Sequence, residues 1–115
     1  MFTVIVTGGR NYENSARIRA VLDWLKPAAV VHGAASGADH HACEWAHEHL
    51  GGSYAFAPDW DTYGKAAGPK RNREMLEAHP RALIVAFPGG RGTSDMVTQA
   101  RSLNRSVLLI DGGPQ

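Results

Sequence analysis

Residues 88–93 read Pro-Gly-Gly-Arg-Gly-Thr, placing three glycines within four positions. Such a stretch costs conformational entropy, and what it gives in return is a backbone that other atoms can approach without meeting a Cβ. At the start of a helix, Gly89, Gly90, Arg91, Gly92 and Thr93 would aim backbone N–H groups and the positive end of the helix dipole at an anion. Thr93 would then cap the helix or offer its hydroxyl to a phosphate. Glycine recurs beside polar or basic residues at Gly8, Gly9 and Arg10, and again at Gly33, Ser36 and Gly37. The spacing does not fit G-x-x-x-x-G-K-[ST], and no G-x-G-x-x-G follows the first apolar run, so neither an ATPase P-loop nor the usual dinucleotide fingerprint is present.

Charge gathers nearby in the sequence. Lys65, Lys70, Arg71 and Arg73 fall within nine residues, interrupted by Gly68-Pro69. Read as a basic loop, this patch suits a phosphate, and arginine offers it a two-pronged fork. Arg10 and Arg91, each following a glycine pair, are phosphate candidates by position. Trp60 and Tyr63 offer flat faces to a base or simply fill core. For acid–base work, or for stabilising an oxocarbenium-like sugar, the candidates are Asp39, Asp59 and Asp95. Asp39 would also suit the first turn of a helix or a ribose hydroxyl, Asp59 a helix cap, and Asp95 another first turn. His40, His41, His47 and His49 crowd one helix with Glu44, and His40, Glu44 and His47 share a face there. The only cysteine, Cys43, lies on the same helix and no His-Glu-x-x-His occurs, so no metal is expected and Cys43 reads as a packed thiol.

These groups need a scaffold, and the apolar pattern supplies one. Near-continuous apolar runs at 2–7, 28–32, 53–57, 82–87 and 106–110 suit parallel strands covered on both faces. Between them lie helical stripes: Ile18, Val21, Leu22 and Leu25 behind the cap candidates Asn14 and Ser15; Ala38, Ala42, Trp45, Ala46 and Leu50; a short piece around Met75 and Leu76; and Met96, Val97, Ala100 and Leu103. The alternation predicts right-handed crossovers and a single doubly wound α/β domain, 1–115, with a mostly parallel five-stranded sheet. In such a sheet the turns after strands one, two and four share the carboxyl rim, where these folds bind ligands. Apolar residues make up 43% of the 115, charged residues 20%, and the net charge is +1, which gives no general pull on nucleic acid or membrane. The absence of a long apolar run or a signal-like start, together with one cysteine, fits a reducing cytoplasm.

The segments VTGGR-NY, HGAASGADHHACEWA, PDWDTYGKAAGPKRNREML and AFPGGRGTSDMV, in this order, resemble the YspA, cpYpsA-related branch of the SLOG superfamily. That superfamily includes the LOG phosphoribohydrolases and the DNA-processing protein DprA. The resemblance runs from residue 3 to residue 110 and implies a Rossmann-like fold, a dimer and a nucleotide or nucleotide-derived ligand. LOG enzymes carry R-K-x-x-M followed by P-G-G-x-G-T-x-x-E and cleave the N-glycosidic bond of nucleoside monophosphates. Arg71 takes the place of the first arginine, and Asn72 replaces the lysine. The second motif matches from Pro88 to Thr93, but the glutamate position holds Met96, which belongs to an apolar stripe and cannot act as an acid. Asp95 lies one residue early, about 100° around the helix.

The reading that follows is a ligand-binding domain or sensor for a nucleotide. Its binding residues would be Gly8, Gly9, Arg10, Gly33, Ser36, Gly37, Asp39, Asp59, Lys65, Arg71, Asn72 and residues 89–93, with no metal or other cofactor. The alternatives are a LOG-like hydrolase using Arg71 with Asp39 or Asp95, and DprA-like binding of single-stranded DNA. The last would want a longer basic groove interleaved with aromatics than residues 63–73 provide.

Overall fold

The computed structural model describes residues 2–114; Met1 and Gln115, the ends of the expected domain, lie outside the described residues. Five strands, β1 (Thr3–Thr7), β2 (Ala29–His32), β3 (Tyr54–Ala55), β4 (Leu83–Ala86) and β5 (Val107–Leu109), form one sheet in the order β3-β2-β1-β4-β5, with every pair parallel. The helices are α1 (Ser15–Leu25), α2 (Ala38–Leu50), α3 (Trp60–Tyr63), α4 (Ala67–Ala78) and α5 (Arg91–Ser102), with a 3₁₀ turn, Gly64–Ala66, between α3 and α4. The radius of gyration, 12.7 Å, is that of one domain of this length.

The pleat explains the layering, because successive side chains of a strand point to opposite faces. Val4 and Val6 join Val30, Val85 and Phe87 under Ile18, Leu22, Ala42 and Trp45 of α1 and α2. Ile5, Val31 and Ile84 point the other way, against Met75 and Leu76 of α4 and Met96 and Ala100 of α5. This is the doubly wound α/β fold that the apolar runs predict. Order reverses at β1 and β4, whose registered ends Thr7 and Ala86 lie side by side. The ladder runs on past the strands, with Phe87 N–H donating to Thr7 O and Gly9 N–H to Pro88 O, both at 2.9 Å.

Local signals work as physical chemistry expects at α1. The Asn14 side chain accepts from Arg17 N–H at 3.0 Å, and the helix stops at Lys26 in the left-handed region, just before Pro27. The chain departs from the sequence reading in three places. The supposed basic loop is mostly helix, because Gly68-Pro69 sits in the first turn of α4, where a missing N–H breaks no intrahelical bond. The third strand is only two residues long. Leu50 and Leu103, assigned to apolar stripes, are exposed at helix ends where the stripe has run past its neighbour.

Candidate functional site

The loops that leave β1, β2 and β4 meet at the carboxyl edge, and α3 and α4 close the remaining side. They enclose a cleft of about 910 Å³. Of the residues singled out from sequence, Gly8, Gly9, Arg10, Gly33, Asp39, Lys65, Arg71, Asn72, Gly89, Gly90, Arg91, Gly92, Thr93 and Asp95 border it.

The glycines divide into two kinds. Gly8, Gly33, Gly37 and Gly89 are demanded by the protein itself. A Cβ on Gly89 would run into Thr93 Oγ1 and stand 2.7 Å from Gly9 N, and one on Gly33 would enter the Arg71 guanidinium. Gly37 has φ of +70°, and its Cβ would lie 2.5 Å from Arg10 O. Gly90 and Gly92 differ: beyond the adjoining residues and the helix's own backbone, no described atom lies within 4 Å of the place a Cβ would take, and neither has a positive φ. Packing does not impose glycine at either position, although glycine is favoured in its own right at the head of a helix, where Gly90 stands. Gly90 is the N-cap of α5, so Thr93 is not the cap that its type suggested; it lies two residues into the helix, 3% exposed, with its oxygen against Gly89.

Arg71 projects from α4 toward the end of β2. Its Nη1 donates to Gly33 O and, at 3.4 Å, to Phe56 O, while Nε donates to Asn72 Oδ1 at 3.0 Å. It is therefore an anchored side chain rather than a free surface cation. No described residue accepts from its Nη2. From the same residue, Gly33 N–H donates to Asp39 Oδ2 at 2.9 Å, and Ala35 N–H reaches the same oxygen at 3.3 Å. Asp39 is 6% exposed. Burial pushes its carboxyl up to about 6, outweighing the two backbone donors and the Arg71 charge, which pull the other way. Burial also lowers the guanidinium of Arg71, against the attraction of Asp39.

A second chain of bonds positions Asp95. Asn72, 3% exposed, donates through Nδ2 to Asp95 Oδ2 at 2.9 Å and to Gly92 O at 3.2 Å. Gln99 Nε2 donates to the same Asp95 oxygen at 2.8 Å and to Pro69 O at 2.9 Å. Met96 points away into the core, fully buried beside Ile84 and Ala100. Asp95, not residue 96, carries the acid to the cleft.

Six sequence candidates lie apart from the main cleft: Lys70 sits over the Tyr63 ring, 4.8 Å from its centre, Arg73 pairs with Glu77 at 3.3 Å, and Asp59, Gly37 and Ser36 serve the chain itself. Asp59 is the N-cap of α3, accepting from Thr62 N–H at 3.1 Å. Gly37 packs on the backbone of Gly9 and Arg10, and Ser36 Oγ donates to Arg10 O at 3.1 Å. Ser36 instead borders a smaller adjoining chamber of about 210 Å³. Sequence reasoning missed Gln99, although its place four residues after Asp95 was a readable helix pair. It also missed Tyr12, which lines the cleft beside Phe87 and whose buried hydroxyl has no partner among the described residues. His32 was read only as strand. Its Nδ1 accepts from Ala34 N–H at 3.1 Å, so the neutral ring carries its proton on Nε2, 2.8 Å from Ser53 Oγ, which in turn lies 3.5 Å from Cys43 Sγ. Burial and the Arg71 charge lower the histidine's pKa and keep it neutral, pinning Ala34 at φ +59° in the loop that borders the cleft. On α2, Glu44 pairs with His40 and His41, at 3.4 and 3.3 Å, rather than with His47. No helix among the described residues is long and apolar enough to cross a membrane.

Compared with known proteins, residues 2–63 match the model of the YspA, cpYpsA-related SLOG family. The matched part carries the glycine turns after β1 and β2, Asp39 and Trp60. The Gene 61 protein of Mycobacterium phage D29 is 33% identical over 126 residues, an alignment that covers 99% of this chain and 100% of the phage protein.

Proposed function

Since the chain belongs to the YspA, cpYpsA-related SLOG family, we propose that its carboxyl-edge cleft binds a nucleotide or nucleotide-derived ligand and that the protein works as a ligand-binding or sensor domain. The observation that carries this reading is the pair Gly90 and Gly92. Packing does not call for glycine at either position, since a side chain at each would meet no other part of the chain, and at Gly92, inside the helix, capping does not call for it either. Bare backbone at the head of a helix is what the oxygens of a phosphate require. Around it stand Arg10, Lys65, Arg71 and Arg91, all bordering the same cleft. The protein as purified, examined by native mass spectrometry, should carry or take up a nucleoside phosphate. Calorimetric titration with nucleoside 5′-monophosphates and with NAD-type compounds should give saturable binding that Gly90→Val abolishes. If none of them binds, the reading is wrong.

A second reading rests on Asp39. A carboxyl poised at about 6 inside the cleft is suited to moving a proton near neutral pH. With Arg71 to hold the phosphate, Asp39 or Asp95 would assist departure of the base, in the manner of the LOG relatives but without their glutamate. Chromatographic appearance of free base from a nucleoside monophosphate would favour this reading over a sensor.

A further inference from the structure

Trp60 has no place in either half of the core, and 45% of it is exposed. Its one-turn helix, α3, buries none of its four residues, yet the indole is firmly placed. The ring edge rests on Gly68 of α4, 3.4 Å from where a Cβ would stand, and the Arg10 guanidinium lies over the ring face, 5.5 Å from its centre. Trp60 borders both the main cleft and the adjoining chamber of about 210 Å³, which also share Arg10, Gly33, Ala35 and Arg71. That chamber is smaller than the roughly 300 Å³ at the low end of pockets that hold a whole small molecule, so it suits a single ring system.

Resting on the phosphate reading above, we propose that Trp60 is the base-reading residue of this site. The phosphate and sugar lie in the main cleft against residues 89–93, and the planar heterocycle of the same molecule stacks on the Trp60 indole at the junction with the side chamber. Aromatic faces attract a planar heterocycle and a guanidinium alike. The preferred ligand is then an intact nucleotide and not a bare sugar phosphate. Because the indole offers a π-face with no hydrogen-bond pattern, the selectivity is for a planar ring rather than for one particular base.

The test compares adenosine 5′-monophosphate with ribose 5-phosphate by calorimetry on the unaltered protein, Trp60→Ala and Trp60→Phe. Circular dichroism checks that each variant folds. The unaltered protein should bind the nucleotide at least about tenfold tighter than the sugar phosphate, as loss or gain of one base–aromatic stack implies. Trp60→Ala should erase that ratio while holding ribose 5-phosphate affinity within about twofold, and Trp60→Phe should keep most of it. Equal affinities for the two compounds on the unaltered protein would overturn the proposal. So would a Trp60→Ala variant that weakens both compounds equally or leaves the ratio intact. If neither compound binds, nor any other nucleoside monophosphate, the phosphate reading itself fails and this inference falls with it.

Discussion

Asp39 makes the stability of the fold depend on pH in a way that one substitution isolates. Its carboxyl has an ordinary pKa of 3.8 in an unfolded chain and one of about 6 in the folded protein. Between those values the native state holds a proton that the unfolded state has released, so stability falls as pH rises through the window. The separation corresponds to about 3 kcal/mol, present in full below about pH 3 and lost by about pH 7. In Asp39→Asn the amide oxygen can still accept from Gly33 and Ala35 N–H, but the group no longer titrates. Urea unfolding of both proteins at intervals from pH 4 to pH 7, followed by circular dichroism, gives the difference curve, in which the other carboxylates cancel. The unaltered protein should lose about 2.4 kcal/mol relative to Asp39→Asn across that range, the part of the total that falls above pH 4. A flat difference would refute the argument. A rising one would show that the backbone donors and Arg71, not burial, dominate the site.

Gly37→Ala should cost at least about 2 kcal/mol in chemical denaturation, since it forces a left-handed alanine against Arg10 O. Gly92→Val should stay within about 1 kcal/mol of the unaltered protein and still lose phosphate binding by calorimetry. Arg71→Ala should lose about 1.5–3 kcal/mol of stability as well as ligand affinity, because its guanidinium ties Gly33, Phe56 and Asn72 together; a fold of unchanged stability would contradict those bonds. Asp95→Asn should bind adenosine 5′-monophosphate as well as the unaltered protein or slightly better. A more than tenfold loss would mean that Asp95 holds the ligand, and a hundredfold fall in release of free base, were release observed, would make it the acid–base group.

The sheet, its parallel sense and the carboxyl-edge position of the glycine turns were legible because each rests on short-range pattern: apolar runs of strand length, helix-period stripes, glycines just after strands. What escaped was decided by neighbours distant in sequence. Gly8, Gly33 and Gly89 look like Gly90 and Gly92 in a string of letters, and only the packing of Ala38, Arg71 and Thr93 against them separates fold-imposed glycines from free ones. Arg71 read as part of a basic loop because nothing in the sequence brings Gly33 and Phe56 to it. The start of α4 was missed for a local reason, a proline taken as a break where it was only a beginning. Trp60 could be core or platform on composition alone, and its exposure beside Arg10 removes the first option.

The sheet separates two half-cores that, among the described residues, share no buried apolar side chain, one under α1 and α2 and the other under α4 and α5. The cleft straddles that divide, with the β1 and β2 loops on one bank and α4 with the head of α5 on the other. A molecule seated there acts as a clasp between the halves, so its grip is felt by the whole chain and not by a loop alone. Melting should then register occupancy everywhere at once, even at Trp45, stacked on His49 in the α2 layer and absent from the lining of the cleft.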